Sequence, residues 1–295
     1  MGAKNSGRYD EQAHAPRQVV GLIAGAGKLP ALVAHGMTSA GSRVVCVTFA
    51  QRVDPQLREL CDVVQQVGVL RVGRWIRVLR RFGACEAVMV GSVDKARLMH
   101  DPLRLLRQVP DLTSALLWYR RIRKDRRSPA VLAALAHTLA DGGVTLIDST
   151  SHITEHLVTT GVLTRTHPTR QQRSDIDFAW PLFQEVLRLG IGQSMAVREG
   201  DIIAIEAAEG TDGMIARAGE LCRKTGWTFF KGASPDHDRR ADVPTVGVET
   251  IRNLHAAGCR CAALAAHDVI LVDRDAVLME ADRRKVAIVG VARDG

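Results

Sequence analysis

Apolar residues in this chain fall into short unbroken runs, separated by glycine, proline and charged positions. Val19–Ala24 (VVGLIA) is apolar throughout, which predicts a strand buried on both faces of a parallel sheet. The turn Gly25-Ala26-Gly27-Lys28 follows, and Pro30 stands where a missing N–H is harmless, so a helix is expected over 31–40. Residues 44–49 and 63–67 read as strands, 71–82 as a helix closed by Gly83, and 87–90 as a fourth strand. Helices are expected around 95–108, 111–124 and 129–140 before 144–147 returns as a strand. Strand and helix alternating in this way predict an α/β fold, with a Rossmann-like parallel-sheet domain over 17–147.

The pattern then changes. Residues 148–174 are rich in Ser, Thr, His and Arg, with weak periodicity, and read as a linker. A second, distinct α/β domain is expected over 175–295. It opens with a helix over 177–189. Strands at 195–197 and 202–207 flank Glu199-Gly200-Asp201, a hairpin signal. A helix over 211–225, a strand at 228–231, a polar loop over 232–244 and a helix over 251–257 follow. Extended segments at 262–266 and 269–272 and a last strand at 286–291 complete the reading.

Composition supports a packed α/β core without naming a ligand. Hydrophobic residues are 46% of the 295 and aromatics only 4%, so Ala, Val and Leu must fill the interior. The net charge of +8 favours anionic partners, yet no aromatic-rich basic platform or Cys/His finger spacing points to nucleic acid. Six scattered cysteines, none in C-x-x-C spacing, read as small buried side chains in a reducing cytoplasm. Residues 1–16 are polar and read as a flexible tail without a signal sequence, and no apolar run approaches the roughly 20 residues of a membrane span.

Several clusters carry candidate chemistry. Gly25, Ala26, Gly27 and Lys28 stand where a phosphate-binding turn would precede a helix, but the pattern is G-x-G-x-x-P, and no acidic residue ends the next strand as NAD binding would require. Glu206, Glu209, Gly210, Thr211 and Asp212 lie at a strand-to-helix junction. Carboxylates there could hold a cation or flank a phosphate, and on spacing alone Thr211 or Asp212 reads first as a helix cap. Lys231, Asp236, His237, Asp238, Arg239, Arg240 and Asp242 crowd one loop with the mixed charges a diphosphate site needs, or a self-neutralising surface. His152, Glu155 and His156 match H-x-x-E-H, set aside because the surroundings are not helical. A basic run, Arg120 to Arg127, has an apolar side at Leu112, Leu116, Leu117 and Ile122 and reads as a solvated helix face or as a membrane-surface contact.

Four blocks together resemble the UDP-2,3-diacylglucosamine pyrophosphatases of the LpxI type. They are GLIAGAGKLP at 21–30, LGIGQ at 189–193, IIAIEAAEGTD at 202–212 and RADVPTVG at 240–247, spread over residues 19–292. The resemblance implies an N-terminal Rossmann-like domain, a distinct C-terminal domain and a lipid-substrate cleft between them. It implies hydrolysis to UMP and 2,3-diacylglucosamine 1-phosphate with magnesium in lipid A synthesis, on a nucleotide-linked glycolipid taken at the inner membrane by a cytoplasmic, peripheral protein. Asp242 corresponds to the family's essential aspartate and is the expected catalytic and metal-binding residue. Gly25, Ala26, Gly27, Lys28, Gln193, Glu209, Gly210, Thr211, Asp212, Lys231, Arg240 and Thr245 are the expected substrate-binding set. Homo-oligomerisation is compatible with the sequence and not specified by it.

The chain departs from the family pattern at Ser234, where lysine is usual, at His237, where glutamine is common, at Lys124-Asp125-Arg126-Arg127, where acids are usual, and at Ala265–Val269. These changes keep a rival in view: a nucleotide-sugar or lipid sensor with the same fold and no turnover. A nicotinamide oxidoreductase is the further rival, opposed by the missing acid after the second strand.

Overall fold

The structure, a computed structural model, describes residues 17–50, 52–92, 109–125, 128–235, 237–240 and 243–293, with backbone alone at Ser128 and Pro129. The tail at 1–16, the helix expected around 95–108, and Arg126, Arg127, Asp236 and Asp242 lie outside the described residues.

The first domain carries a five-stranded parallel sheet in the order β3-β2-β1-β4-β5. The strands are β1 (Val19–Ala24), β2 (Arg43–Thr48), β3 (Val63–Gln66), β4 (Glu86–Val90) and β5 (Thr145–Leu146). Successive side chains point to opposite faces, so one run of Val, Ile and Ala feeds two cores. Val20, Leu22, Val44, Cys46 and Val88 face the helices α1 (Leu29–Ser39) and α2 (Pro55–Leu60). Ile23, Val45, Val47 and Ala87 face the other layer, formed by α3 (Val72–Arg81), α4 (Leu112–Leu117) and α5 (Ser128–Asp141). Helix α4 continues into a π-helical turn over Trp118–Ile122. The hydrophobic pattern does not announce α2; its signal is Asp54, whose carboxylate accepts from Gln56 N at 3.0 Å, followed by Pro55 at the first helical position.

The second domain carries a six-stranded mixed sheet in the order β6-β13-β11-β9-β7-β8. Its strands are β6 (Gly161–Val162), β7 (Ser194–Arg198), β8 (Asp201–Ile205), β9 (Trp227–Lys231), β11 (Cys259–Ala265) and β13 (Ala287–Val291). The expected hairpin is present: β7 pairs antiparallel with β8 across Glu199 and Gly200, at φ of 53° and 80°. Helices α6 (Arg170–Arg188), α7 (Gly210–Leu221), α8 (Val248–Ala256) and α9 (Arg274–Arg283) accompany this sheet. The rings of Trp180, Phe183 and Phe230 pack with centroids 5.8–6.4 Å apart in its core. Helix α9 has no counterpart in the sequence reading, because only Val277, Glu280 and Ala281 are buried in an otherwise charged segment.

Residues 148–174 are not a free tether. Ile153 and Leu157 are buried with Ile270 in the first domain's core, while the next residue, Val158, belongs to the second. Leu163 N donates to Ile288 O and β6 adds an edge to β13. Helix α6 starts at Arg170, seven residues before the expected 177, behind a capping box in which Thr169 and Gln172 satisfy each other's backbone N–H. The Ser and Thr that suggest a linker are largely caps and backbone partners.

Candidate active site

In a doubly wound sheet, ligands enter at the carboxyl ends of the strands where the order reverses, here between β1 and β4. Gly25 follows β1 at that point. A Cβ on Gly25 would lie 2.6 Å from the carbonyl carbon of Gly91 and 2.7 Å from Ser92 O, so only glycine lets the loops after β1 and β4 touch. Ala26 and Ser92 seal the contact with reciprocal N–H···O bonds of 2.9 Å. Gly27 takes a φ of 102°, and Lys28 sits at the N-cap of α1 with no side-chain cap, leaving first-turn N–H groups available to an acceptor. The Lys28 ammonium reaches the second domain, 3.1 Å from Asp273 Oδ2 at the N-cap of α9.

The second group forms where β8 leads into α7. Gly192 permits close approach: a Cβ there would lie 2.1 Å from Glu206 O. The Glu206 carboxylate accepts from Ser194 Oγ at 2.5 Å and from Thr211 Oγ1 at 3.0 Å. Lys231, buried at the end of β9, donates to Thr211 Oγ1 at 2.7 Å. One hydroxyl thus sits between a buried ammonium and a carboxylate, beside the N-terminus of a 12-residue helix. Gln193 is adjacent, its carbonyl accepting from Gly232 N at 3.1 Å.

Neither Thr211 nor Asp212 caps α7; Glu209 holds the N-cap position without a side-chain cap bond. Glu209 is engaged by Arg217, whose hydrogen bond holds the carboxyl below its usual range, and it also accepts from Ala207 N at 3.2 Å. Asp212 is exposed and accepts from Asn253 Nδ2 at 3.2 Å. Gly210, at a φ of 76°, lets the chain enter the helix.

The 232–244 loop divides its charges unevenly. Arg240 makes a two-pronged pair with Asp238, at 2.8 and 2.6 Å, and this hydrogen bonding keeps the Asp238 carboxyl low against the opposing effect of burial. Arg239, next in line, is the clasp. It donates to Asp148 Oδ2 at 2.9 Å, Thr150 Oγ1 at 2.9 Å and His267 O at 3.0 Å, and pairs with Asp268 at 3.3 Å. Burial pushes the Asp148 carboxyl up, but the Thr150 N–H and hydroxyl and the Arg239 charge outweigh it and hold the group low. Ser149 completes the join, donating from N and Oγ to Arg239 O. Beyond Asp242, Val243 packs on the first domain's core, and Thr245 pairs with Ile270 where β10 (Thr245–Val246) meets β12 (Ile270–Leu271). The two departures Ser234 and His237 contact each other, His237 Nδ1 lying 2.8 Å from Ser234 O.

The structure therefore brings Gln193, Gly210, Thr211 and Lys231 together. Among the described residues no hydrogen bond or ion pair links them to the Gly25–Lys28 turn, which meets Asp273 instead. Ser194, Asp148, Thr150 and Asp273 are partners that local spacing could not reveal, and Arg239, already grouped with the charged loop, proves to be the clasp. Among the described residues no group of three or more His, Cys, Asp or Glu could hold a metal, so the H-x-x-E-H match is not a site; His156 lies in a 3₁₀ turn beside Glu155. Cys259 and Cys261 are fully buried in β11, and burial pushes the Cys259 thiol up to about 12.

A Rossmann-like sheet joined to a second α/β domain, with a glycine turn at the start of α1 and a buried lysine beside the start of α7, makes this a two-domain α/β protein with two candidate phosphate contacts. Two family profiles cover the chain, the LpxI N-terminal domain over residues 19–156 and the LpxI C-terminal domain over 159–289. The chain belongs to the LpxI family. It is similar to the UDP-2,3-diacylglucosamine pyrophosphatase LpxI of Caulobacter vibrioides (strain ATCC 19089 / CIP 103742 / CB 15), at 31% identity over 283 residues, 92% of this chain and 97% of the relative.

Proposed function

We propose that this chain hydrolyses UDP-2,3-diacylglucosamine to UMP and 2,3-diacylglucosamine 1-phosphate. The similarity to the Caulobacter pyrophosphatase over nearly the whole of both chains carries the reading. The Lys231–Thr211 pair at the start of α7 supports it, because an ammonium beside unpaired helical N–H groups suits a phosphoryl oxygen. The Gly25–Lys28 turn is the proposed contact for the nucleotide end, and Asp242 the group that orients water. Water adds across the P–O–P bridge, one phosphoryl takes the hydroxyl oxygen, the other leaves as a phosphate, and a proton is released.

The described carboxylates do not fit a resident metal, since Glu206, Glu209 and Asp238 are already bound by hydroxyl or guanidinium groups. Asp242, outside the described residues, would be the protein ligand of a magnesium ion accompanying the diphosphate. That ion would offset charge on the phosphoryl oxygens. No helix among the described residues is long and apolar enough to cross a membrane. We propose that the lipid substrate is taken at the cytoplasmic face of the inner membrane.

Incubation of the purified chain with UDP-2,3-diacylglucosamine and magnesium should yield UMP and the acylated sugar phosphate by mass. Binding without turnover would replace the enzyme by a sensor of the same ligand.

A further inference from the structure

One face of the first domain is built as a surface for something anionic and apolar. Helix α3 buries Val72, Trp75 and Leu79 and turns Arg71, Arg74, Arg77 and Arg81 to the other side. At spacings of three and four these four guanidinium groups share one helix face. They line an open groove of about 680 Å³, completed by Gln65 of the edge strand β3 and by Val109, Pro110 and Asp111. Asp111 is the one carboxylate among the described residues of the groove, and it caps backbone: Oδ1 accepts from Ser114 N at 2.9 Å and Oδ2 from Arg74 N at 3.0 Å. Among the described residues none of the four arginines pairs with a carboxylate. Four unneutralised cations along about three turns of helix repel one another and await an anion.

The groove runs into a second feature. Gly73 of α3 packs against Thr113 and Asp111, and Val72 N donates to Ser114 Oγ at 3.0 Å, so α4 starts at the groove's end. From there α4 and its π-helical turn leave Leu112 at 76%, Leu116 at 41% and Tyr119 at 61% exposure, with Val109 at 61% just before. Arg120, Arg121, Arg123 and Lys124 follow on the surface, Arg123 lying 4.0 Å over the Tyr119 ring. This face belongs to the α3–α4–α5 layer, whereas the second domain, through Ile270, Val243 and Val272, packs on the α1–α2 layer. Among the described residues the second domain therefore leaves this face uncovered.

We propose that the α3 groove and the exposed edge of α4 form the chain's docking face for an anionic phospholipid bilayer. Guanidinium groups suit lipid phosphates, and aliphatic and tyrosine side chains beside them can enter the zone below the headgroups. Nucleic acid would use the charge but not the leucines, and a binder of single strands needs stacking aromatics in the groove itself, where the described residues supply none. The inference deepens the proposed reaction, for it says how a protein reaches a diacyl substrate, but its test does not need that reaction.

The test is co-sedimentation of the full chain with vesicles of phosphatidylcholine alone or with one-third phosphatidylglycerol. Binding should require the anionic lipid and fall with salt. Arg74→Glu with Arg77→Glu should lower it by about thirtyfold or more, since each basic residue near the surface contributes about fivefold. Leu112→Ser with Leu116→Ser should weaken what remains bound at high salt. The charge-matched control, Arg223→Glu with Lys224→Glu in the second domain, should change binding by less than about threefold. Unaltered melting shows that the variants fold, and turnover of a short-acyl, micelle-free substrate should be unchanged. Equal loss in the control pair, equal binding to neutral vesicles, or tighter binding of a single-stranded RNA than of anionic vesicles would each overturn the proposal. Anionic-vesicle binding by the parent chain without turnover of the diacyl substrate would instead count against the proposed reaction alone.

Discussion

Burying an ammonium group without partners is costly, so the position of Lys231 is informative. Its bond to Thr211 Oγ1, which in turn bonds Glu206, makes the three one electrostatic unit. Lys231→Met keeps the length and loses the charge. It should leave the β9 strand in place and lower kcat/KM by roughly 10²–10³, the scale for one removed transition-state donor. A fall in melting temperature with normal turnover would make the lysine structural. Asp242→Asn should bind substrate and lose hydrolysis, checked by substrate retention on a filter beside a product assay. A single turnover in oxygen-18 water should place the label in UMP, since a nucleotide held at its own phosphate presents that phosphorus to the oriented water. Label in the lipid phosphate would reverse the attack. Two other candidates have other work: Glu209 holds Arg217, and Arg240 holds Asp238.

Among elements, the turn after β1 and the clasp around Arg239 yield different measurements. Gly25→Val must place its Cβ within 3 Å of the backbone of Gly91 and Ser92, and backbone cannot rotate away. The cost should be about 1–3 kcal/mol, which in a domain of this size lowers the melting temperature by about 2–4 °C per kcal/mol. Asp148 offers a pH test. Its carboxyl is held low when folded, so its stabilisation is complete above the unfolded value near 3.9 and disappears as pH falls through the folded one. Asp148→Asn should melt lower than the parent at pH 7, and the two curves should converge as pH falls through the lowered folded-state value. A constant difference across that window would show that the carboxylate charge does not matter. Thr169 and Gln172 teach the complementary lesson: their S/T-x-x-Q spacing is a legible helix start, hidden because the surrounding Ser and Thr look like linker.

For the whole molecule, the two domains meet through contacts of unequal strength. Lys28 and Asp273 are 76% and 47% exposed along their side chains, and such a pair is worth about 0–1 kcal/mol. A diphosphate arriving at the Gly25–Lys28 turn can recruit that ammonium at little cost. The Arg239 clasp and the buried Ile153 and Ile270 are firmer and would act as the pivot. Solution scattering of Asp242→Asn should therefore show a smaller radius with saturating substrate than without. Superimposable curves would mean that the domains keep one spacing throughout.

Local pattern by itself determined most of the strands and the turns, though not the short β6 and β10 or the helices α2 and α9. Apolar runs near six residues long, glycine at Gly25 and Gly200, and the EGTD and DVPT blocks are statements about neighbours in the chain, and neighbours decide strand propensity, turn geometry and helix entry. Only the tertiary structure decided which charges are committed. Arg239 and Asp148 are 91 residues apart in sequence, Lys231 and Thr211 are 20, and Lys28 and Asp273 are 245. Nothing in local spacing distinguishes Arg239, the clasp, from Arg240, the partner of Asp238, because the difference arises when the loop is laid against Asp148 and Asp268. The same holds for the arginines of α3. Their periodicity marks an outward face, but only the fold shows that, among the described residues, no carboxylate pairs with them there.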